Sequence, residues 1–71
     1  MKKEDLIYDL IFSEKSEFSV EVSKYIEDIY KYEDFIKEIK DILVKSKVVL
    51  VSEEIKIGDK GNINWIIKIK K

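Results

Sequence analysis

The chain has 71 residues, a formal net charge of −1, and no cysteine, histidine, arginine or proline. That length makes one domain, whose core supplies about 3–5 kcal/mol unless something staples it. The absent residue types remove disulfides, thiolate and imidazole metal ligands, and the side chain that moves protons near neutral pH.

Apolar residues make up 45% of the chain and charged residues 41% with mixed signs, a globular rather than a disordered balance. The 14 lysines and 13 isoleucines, set against no Ala, Thr or Gln, fit a very AT-rich genome. Charge is uneven along the chain. Residues 1–44 hold seven lysines and twelve acids, and residues 45–71 hold seven lysines and three acids, so a net of −5 faces a net of +4. This two-ended layout suits nucleic acid at the basic end, a polar protein partner, or self-association of opposite ends. The start "MKKEDLIYDL" places acids directly after its lysines and holds no long apolar run, unlike a signal peptide. The longest apolar run is "VVLV", residues 48–51, far too short to cross a membrane. A reducing cytoplasm is the default expectation for such a chain.

Residues 3–12 place Leu6, Ile7, Leu10 and Ile11 on one helical face, with Glu4 and Asp5 in the first turn where the helix dipole favours them. The helix should end near "SEKSE", residues 13–17. Ser16 or Ser19, helped by Glu17 and Glu21, could then cap the next helix. From Val22 the apolar residues fall at Val22, Tyr25, Ile29, Tyr32, Ile36, Ile39 and Leu43, in alternating steps of three and four. That stripe predicts a helix over about 20–46, roughly 40 Å long at 1.5 Å per residue. A break at "YKYED", residues 30–34, is the alternative, with Glu33 or Asp34 near the start of a third helix. An unbroken seam would outrun the short helix and the hairpin, leaving a remainder for a symmetry mate or a different protein.

After Lys47 the residues become β-branched. "KVVLV" reads as a strand, "SEE" as a bend or interruption, and "IKI" and "NINWIIKIK" as the two sides of a hairpin. With Gly58 and Asn62 closing the loop, Gly61 occupies the left-handed position of a three-residue turn. This register pairs Ile57 with Ile63, Ile55 with Trp65, Glu53 with Ile67 and Val51 with Ile69. One face then carries those apolar side chains for the helices to cover, with Glu53 as a misfit marking a bend or bulge. The other carries Lys56, Asn64, Glu54, Ile66, Ser52 and Lys68. Trp65 belongs to the core in this reading; the competing role is stacking on a nucleic-acid base. Tyr25 and Tyr32 lie on the helical stripe. Tyr8 and Tyr30 lie off it, as partner-binding candidates or as ordinary boundary residues.

The order helix, helix, hairpin, with "FIKEIKDILVKSKVVLVSEEIKIGDKGNINWIIKIKK" (residues 35–71) as last helix and wing, resembles the winged helix-turn-helix family. The resemblance implies a wing tip at "GDKGN" with Lys60 on a phosphate. A nucleic-acid surface would then comprise Lys45, Lys56, Lys60, Asn64, Lys68 and Lys70. The chain departs from a base reader in two ways. Glu33 and Asp34 lead the helix that would enter the groove, and no Arg or Gln is present to bind guanine or adenine edges.

Catalysis finds no support in the residues. The acids come as adjacent pairs such as Glu27 and Asp28 without an apolar pocket to retune them, and neither a phosphate loop nor a calcium loop is spelled out. No catalytic residue, metal site or cofactor is expected. The reading is an α+β domain: a short N-terminal helix, a long second helix, unbroken or broken, and a C-terminal antiparallel hairpin or three-stranded meander packed on them. Its expected role is non-catalytic binding of a protein partner, as in phage or mobile-element regulators that inhibit host nucleic-acid-handling or defence proteins. Homodimerisation and nucleic-acid contact through the basic hairpin are secondary expectations, and no membrane partner is expected.

Overall fold

The computed structural model describes residues 2–71. Helix α1 (Lys3–Phe12) is followed by strand β1 (Glu17–Glu21), two 3-10 turns (Val22–Lys24 and Ile29–Lys31), helix α2 (Tyr32–Lys45), and strands β2 (Val49–Ile57) and β3 (Ile63–Lys70). The strands form one antiparallel sheet in the order β1-β3-β2. This is the expected α+β architecture, with the third strand drawn from the N-terminal half.

Helix α1 forms where its spacing placed it, burying Leu6 and Leu10 and ending at Ser13. The second helix begins at Tyr32, inside the "YKYED" break rather than near residue 20. Two local causes combine. Asp28 accepts a hydrogen bond from the Tyr30 amide at 3.1 Å, a local bond that competes with helix continuation. Upstream, Phe18, Val20 and Val22 repeat with period two, and the strand that holds the first two, Glu17–Glu21, pairs with β3. Ser16 and Ser19 therefore cap no helix. The Ser16 carbonyl accepts from the Ile69 amide at 2.7 Å, and Ser19 stands opposite Ile66 in the sheet.

Helix α2 buries Phe35, Ile36, Ile39 and Leu43 and carries Glu33 and Asp34 in its first turn. It ends on a Schellman arrangement. The Val48 amide bonds the Leu43 carbonyl at 2.9 Å and the Lys47 amide bonds the Val44 carbonyl at 3.1 Å. Lys47 supplies the left-handed residue, at φ 62°, that turns the chain into β2. Of the seven stripe residues, Val22, Ile36, Ile39 and Leu43 are buried, and Tyr25, Ile29 and Tyr32 pack half-buried against the same cluster. The seam that an unbroken helix would leave bare does not arise, because the helix is broken and the stripe folds back over itself.

The hairpin follows the expected register through most of its length. Ile57 opposes Ile63, Ile55 opposes Trp65 and Glu53 opposes Ile67. The Gly58 amide donates to the Asn62 carbonyl at 2.8 Å, the Gly61 amide to the Gly58 carbonyl at 3.0 Å, and Gly61 has φ +79°. The bulge sits earlier than Glu53 suggested. The register shifts between Leu50 and Ser52, so Leu50 rather than Val51 opposes Ile69. The extra residue lets half-buried Leu50 face the core while Ser52, Glu54 and Lys56 stay on the outer face.

Glu53 has a different purpose from a bend marker. Trp65 is fully buried, and its Nε1–H donates to a Glu53 carboxylate oxygen at 3.0 Å. The other carboxylate oxygen pairs with the Lys40 ammonium on α2. A buried indole N–H without an acceptor is costly, so the acid on an otherwise apolar face satisfies the largest core residue. A second tie joins the helices, where Lys3 donates to Glu38 at 2.7 Å. That bond raises the Lys3 pKa above 10.5, so on the alkaline side the tie is lost only as pH rises through the raised value.

In urea unfolding, Glu53→Leu should cost about 1–3 kcal/mol by orphaning the indole N–H. Glu53→Gln keeps an acceptor and loses only a rim ion pair, at about 0–1 kcal/mol. Equal losses for the two variants would contradict this role for Glu53.

Candidate interaction surfaces

Paired residues share a face of the sheet, so β3 divides its neighbours cleanly. Ile63, Trp65, Ile67 and Ile69 point to the helices, and Asn64, Ile66, Lys68 and Lys70 point outward. The fold brings together Lys56, Asn64 and Lys68 as expected, because Lys56 pairs with Asn64 and Lys68 lies along the same outer face. Lys70 follows on that face opposite Val49. Lys60 stands at the exposed hairpin tip, and Lys45 closes α2 on a separate element.

The outer face is not a basic patch. Strand β1 adds Glu17 opposite Lys68 and Glu21 opposite Asn64, and β2 adds Glu54 opposite Ile66. The Lys68 ammonium lies 3.9 Å from the Glu17 carboxylate, and the Lys56 ammonium lies 4.0 Å from that of Glu54. The charge separation seen along the sequence is therefore partly cancelled in space, because an acidic strand is woven into the basic sheet. Trp65 is unavailable for stacking on a base, being fully buried.

The acidic helical end presents a different chemistry. Tyr8 and Phe12 are 64% and 67% exposed, with ring centroids 4.9 Å apart across one turn of α1. Together with exposed Asp5 and Asp9 they occupy positions i, i+3, i+4 and i+7, a stripe opposite buried Leu6 and Leu10. Tyr8 is marked in the sequence by its departure from the core spacing, and Phe12 carries the same signal. Tyr30 is 92% exposed in the 3-10 turn before α2 and shares no ring contact with that pair. Its side chain is thus separate from the α1 stripe.

A third surface was not foreseen. Strand β2 is a sheet edge nine residues long, and Val49, Val51, Ile55 and Ile57 on it are exposed. Of the apolar strip expected to be covered, the β3 residues Ile63, Trp65, Ile67 and Ile69 are buried, whereas Val51, Ile55 and Ile57 on β2 remain exposed. Among the described residues, no group of three or more acids forms a metal-holding cluster, and no helix is long and apolar enough to cross a membrane. No family model, curated protein or solved structure matches the chain.

Duplex DNA titration checks the balance of charge on the outer face. The wild-type protein should bind weakly at low salt, and Glu17→Gln with Glu21→Gln and Glu54→Gln should raise affinity with a steeper salt dependence. No change on removing three acids would contradict the interleaved-charge picture.

Proposed function

We propose that this protein is a non-catalytic binding protein acting through protein–protein contacts, with the outward stripe Asp5, Tyr8, Asp9 and Phe12 of α1 as its principal anchor. The observation that carries this reading is the tilted ring pair Tyr8–Phe12, two large rings in contact and held in solvent by a helix whose opposite face is already buried. Exposed aromatics supply contact area at low entropic cost and dominate many interfaces. The flanking carboxylates favour a partner whose apolar groove is rimmed by basic groups, as on proteins that handle nucleic acid. An inhibitor or regulator occupying such a surface is consistent with a chain that carries no catalytic equipment.

A second reading, a winged-helix DNA-binding regulator, draws support from the lysine-tipped hairpin and the alignment of Lys56, Lys68 and Lys70. Against it stand the glutamates laid among those lysines and the acids at the start of α2.

Affinity capture with the immobilised protein, followed by mass spectrometry, tests the first reading. A stoichiometric protein with a basic surface should be recovered by the wild type. Capture should fall at least about tenfold for Tyr8→Ser with Phe12→Ser, hot-spot losses of this size being common. Circular dichroism should show the fold intact. Undiminished capture by the double variant would remove the α1 stripe as the anchor.

A further inference from the structure

We infer that the free edge of β2 is a self-association surface, pairing antiparallel with β2 of a second copy about a twofold axis through Ile55. This does not rest on the α1 stripe. The hydrogen-bond parity of the hairpin fixes the geometry. Gly58 and Asn62 are a bonded pair at 2.8 Å, and bonded and non-bonded pairs alternate along antiparallel strands. Lys56 with Asn64 and Glu54 with Ile66 are therefore bonded pairs, whereas Glu53, Ile55 and Ile57 turn their backbone N–H and C=O groups to the open edge. Their side chains share the face of Trp65, where Ile55 is 40% and Ile57 64% exposed.

An antiparallel pairing that satisfies those groups sets the odd-numbered residues of 53–57 opposite one another and can centre on any residue of that range. Centring on Glu54 or on Lys56 sets two like charges directly opposite each other. Centring on Glu53 sets two carboxylates opposite each other. Centring on Ile57 uses only the end of the strand and the turn. Centring on Ile55 pairs Ile55 with the second copy's Ile55, Glu54 with its Lys56, and Lys56 with its Glu54. Opposite charges directly across a strand pair are favourable, and like charges are not. The sequence Glu54-Ile55-Lys56 is thus complementary to itself when reversed.

Charged residues on an edge ordinarily keep other strands away. Here the two exposed charges have opposite signs and flank the central isoleucine, so a twofold axis converts both into pairs. Glu53, which would meet the second copy's Ile57, already shares its charge with Lys40 and Trp65 of its own chain. The opposite edge lacks this property. Strand β1 is five residues long, and centring it on Ser19 sets Glu17 against Glu21 of the second copy. The match selects a second copy of this chain in one register, yielding a six-stranded sheet with the helices of both copies on one side.

Sedimentation across a concentration series, with Lys56→Glu and Glu54→Lys prepared separately, tests the register. Both side chains are more than half exposed, so both variants should fold. The wild type should reach twice 8.5 kDa. Each single variant should weaken the dimer about tenfold or more, by placing like charges opposite each other twice. Mixing the two variants in equal amounts should restore association, because each Glu then meets a Lys. A wild type that stays monomeric throughout, a dimer indifferent to both variants, or a mixture no better than its components would overturn the proposal.

Discussion

The fold depends on satisfying one buried N–H. Trp65 is the largest side chain in the core and lies on the central strand, so the neighbouring elements are built around it: Val20 opposes it from β1, Ile55 from β2, and it belongs to the buried cluster to which α1 and α2 contribute. An indole brings a donor into that apolar space, and the donor has to be met. Glu53 meets it from the neighbouring strand and is held there by Lys40 of α2. Sheet register, bulge position and helix placement all have to agree for these three groups to converge. A slip of one residue between β2 and β3 would leave the indole unpaired and bring Glu54 or Lys56 to the core face.

Much of this was legible in the residues. The hairpin register followed from the turn at Gly58–Asn62 combined with burial, because a period of two leaves few choices once one face must be apolar. The first helix followed from its spacing. The middle of the chain was harder, since residues 18–32 satisfy two periods at once: Phe18, Val20 and Val22 alternate, while Val22, Tyr25, Ile29 and Tyr32 step by three and four. Locally the helical stripe is longer. The vacant edge of β3 settles the matter, and that edge is a tertiary fact that no short window contains. Glu53 looked like a defect for the same reason, because its partner is distant in sequence.

Charge tells a parallel story about surfaces. Divided by sequence, the molecule has an acidic half and a basic half. In space, β1 carries Glu17 and Glu21 into the basic sheet, so that Lys68 gains a nearby counter-charge. The outer face becomes close to balanced, while the acidic character concentrates on α1 beside two exposed rings. The candidate site was therefore half visible in advance. Tyr8 and Tyr30 stood out as departures from the core spacing, whereas the open β2 edge emerges only once the strand order is known.

The most direct check on the central constraint is hydrogen exchange of the Trp65 indole N–H, followed by NMR; the chain has one tryptophan, so the signal needs no disentangling. The account predicts an indole proton protected as strongly as the backbone amides of β3, with exchange limited by global opening. An indole proton that exchanges at the rate of a solvent-exposed tryptophan, while the β3 amides remain protected, would contradict it.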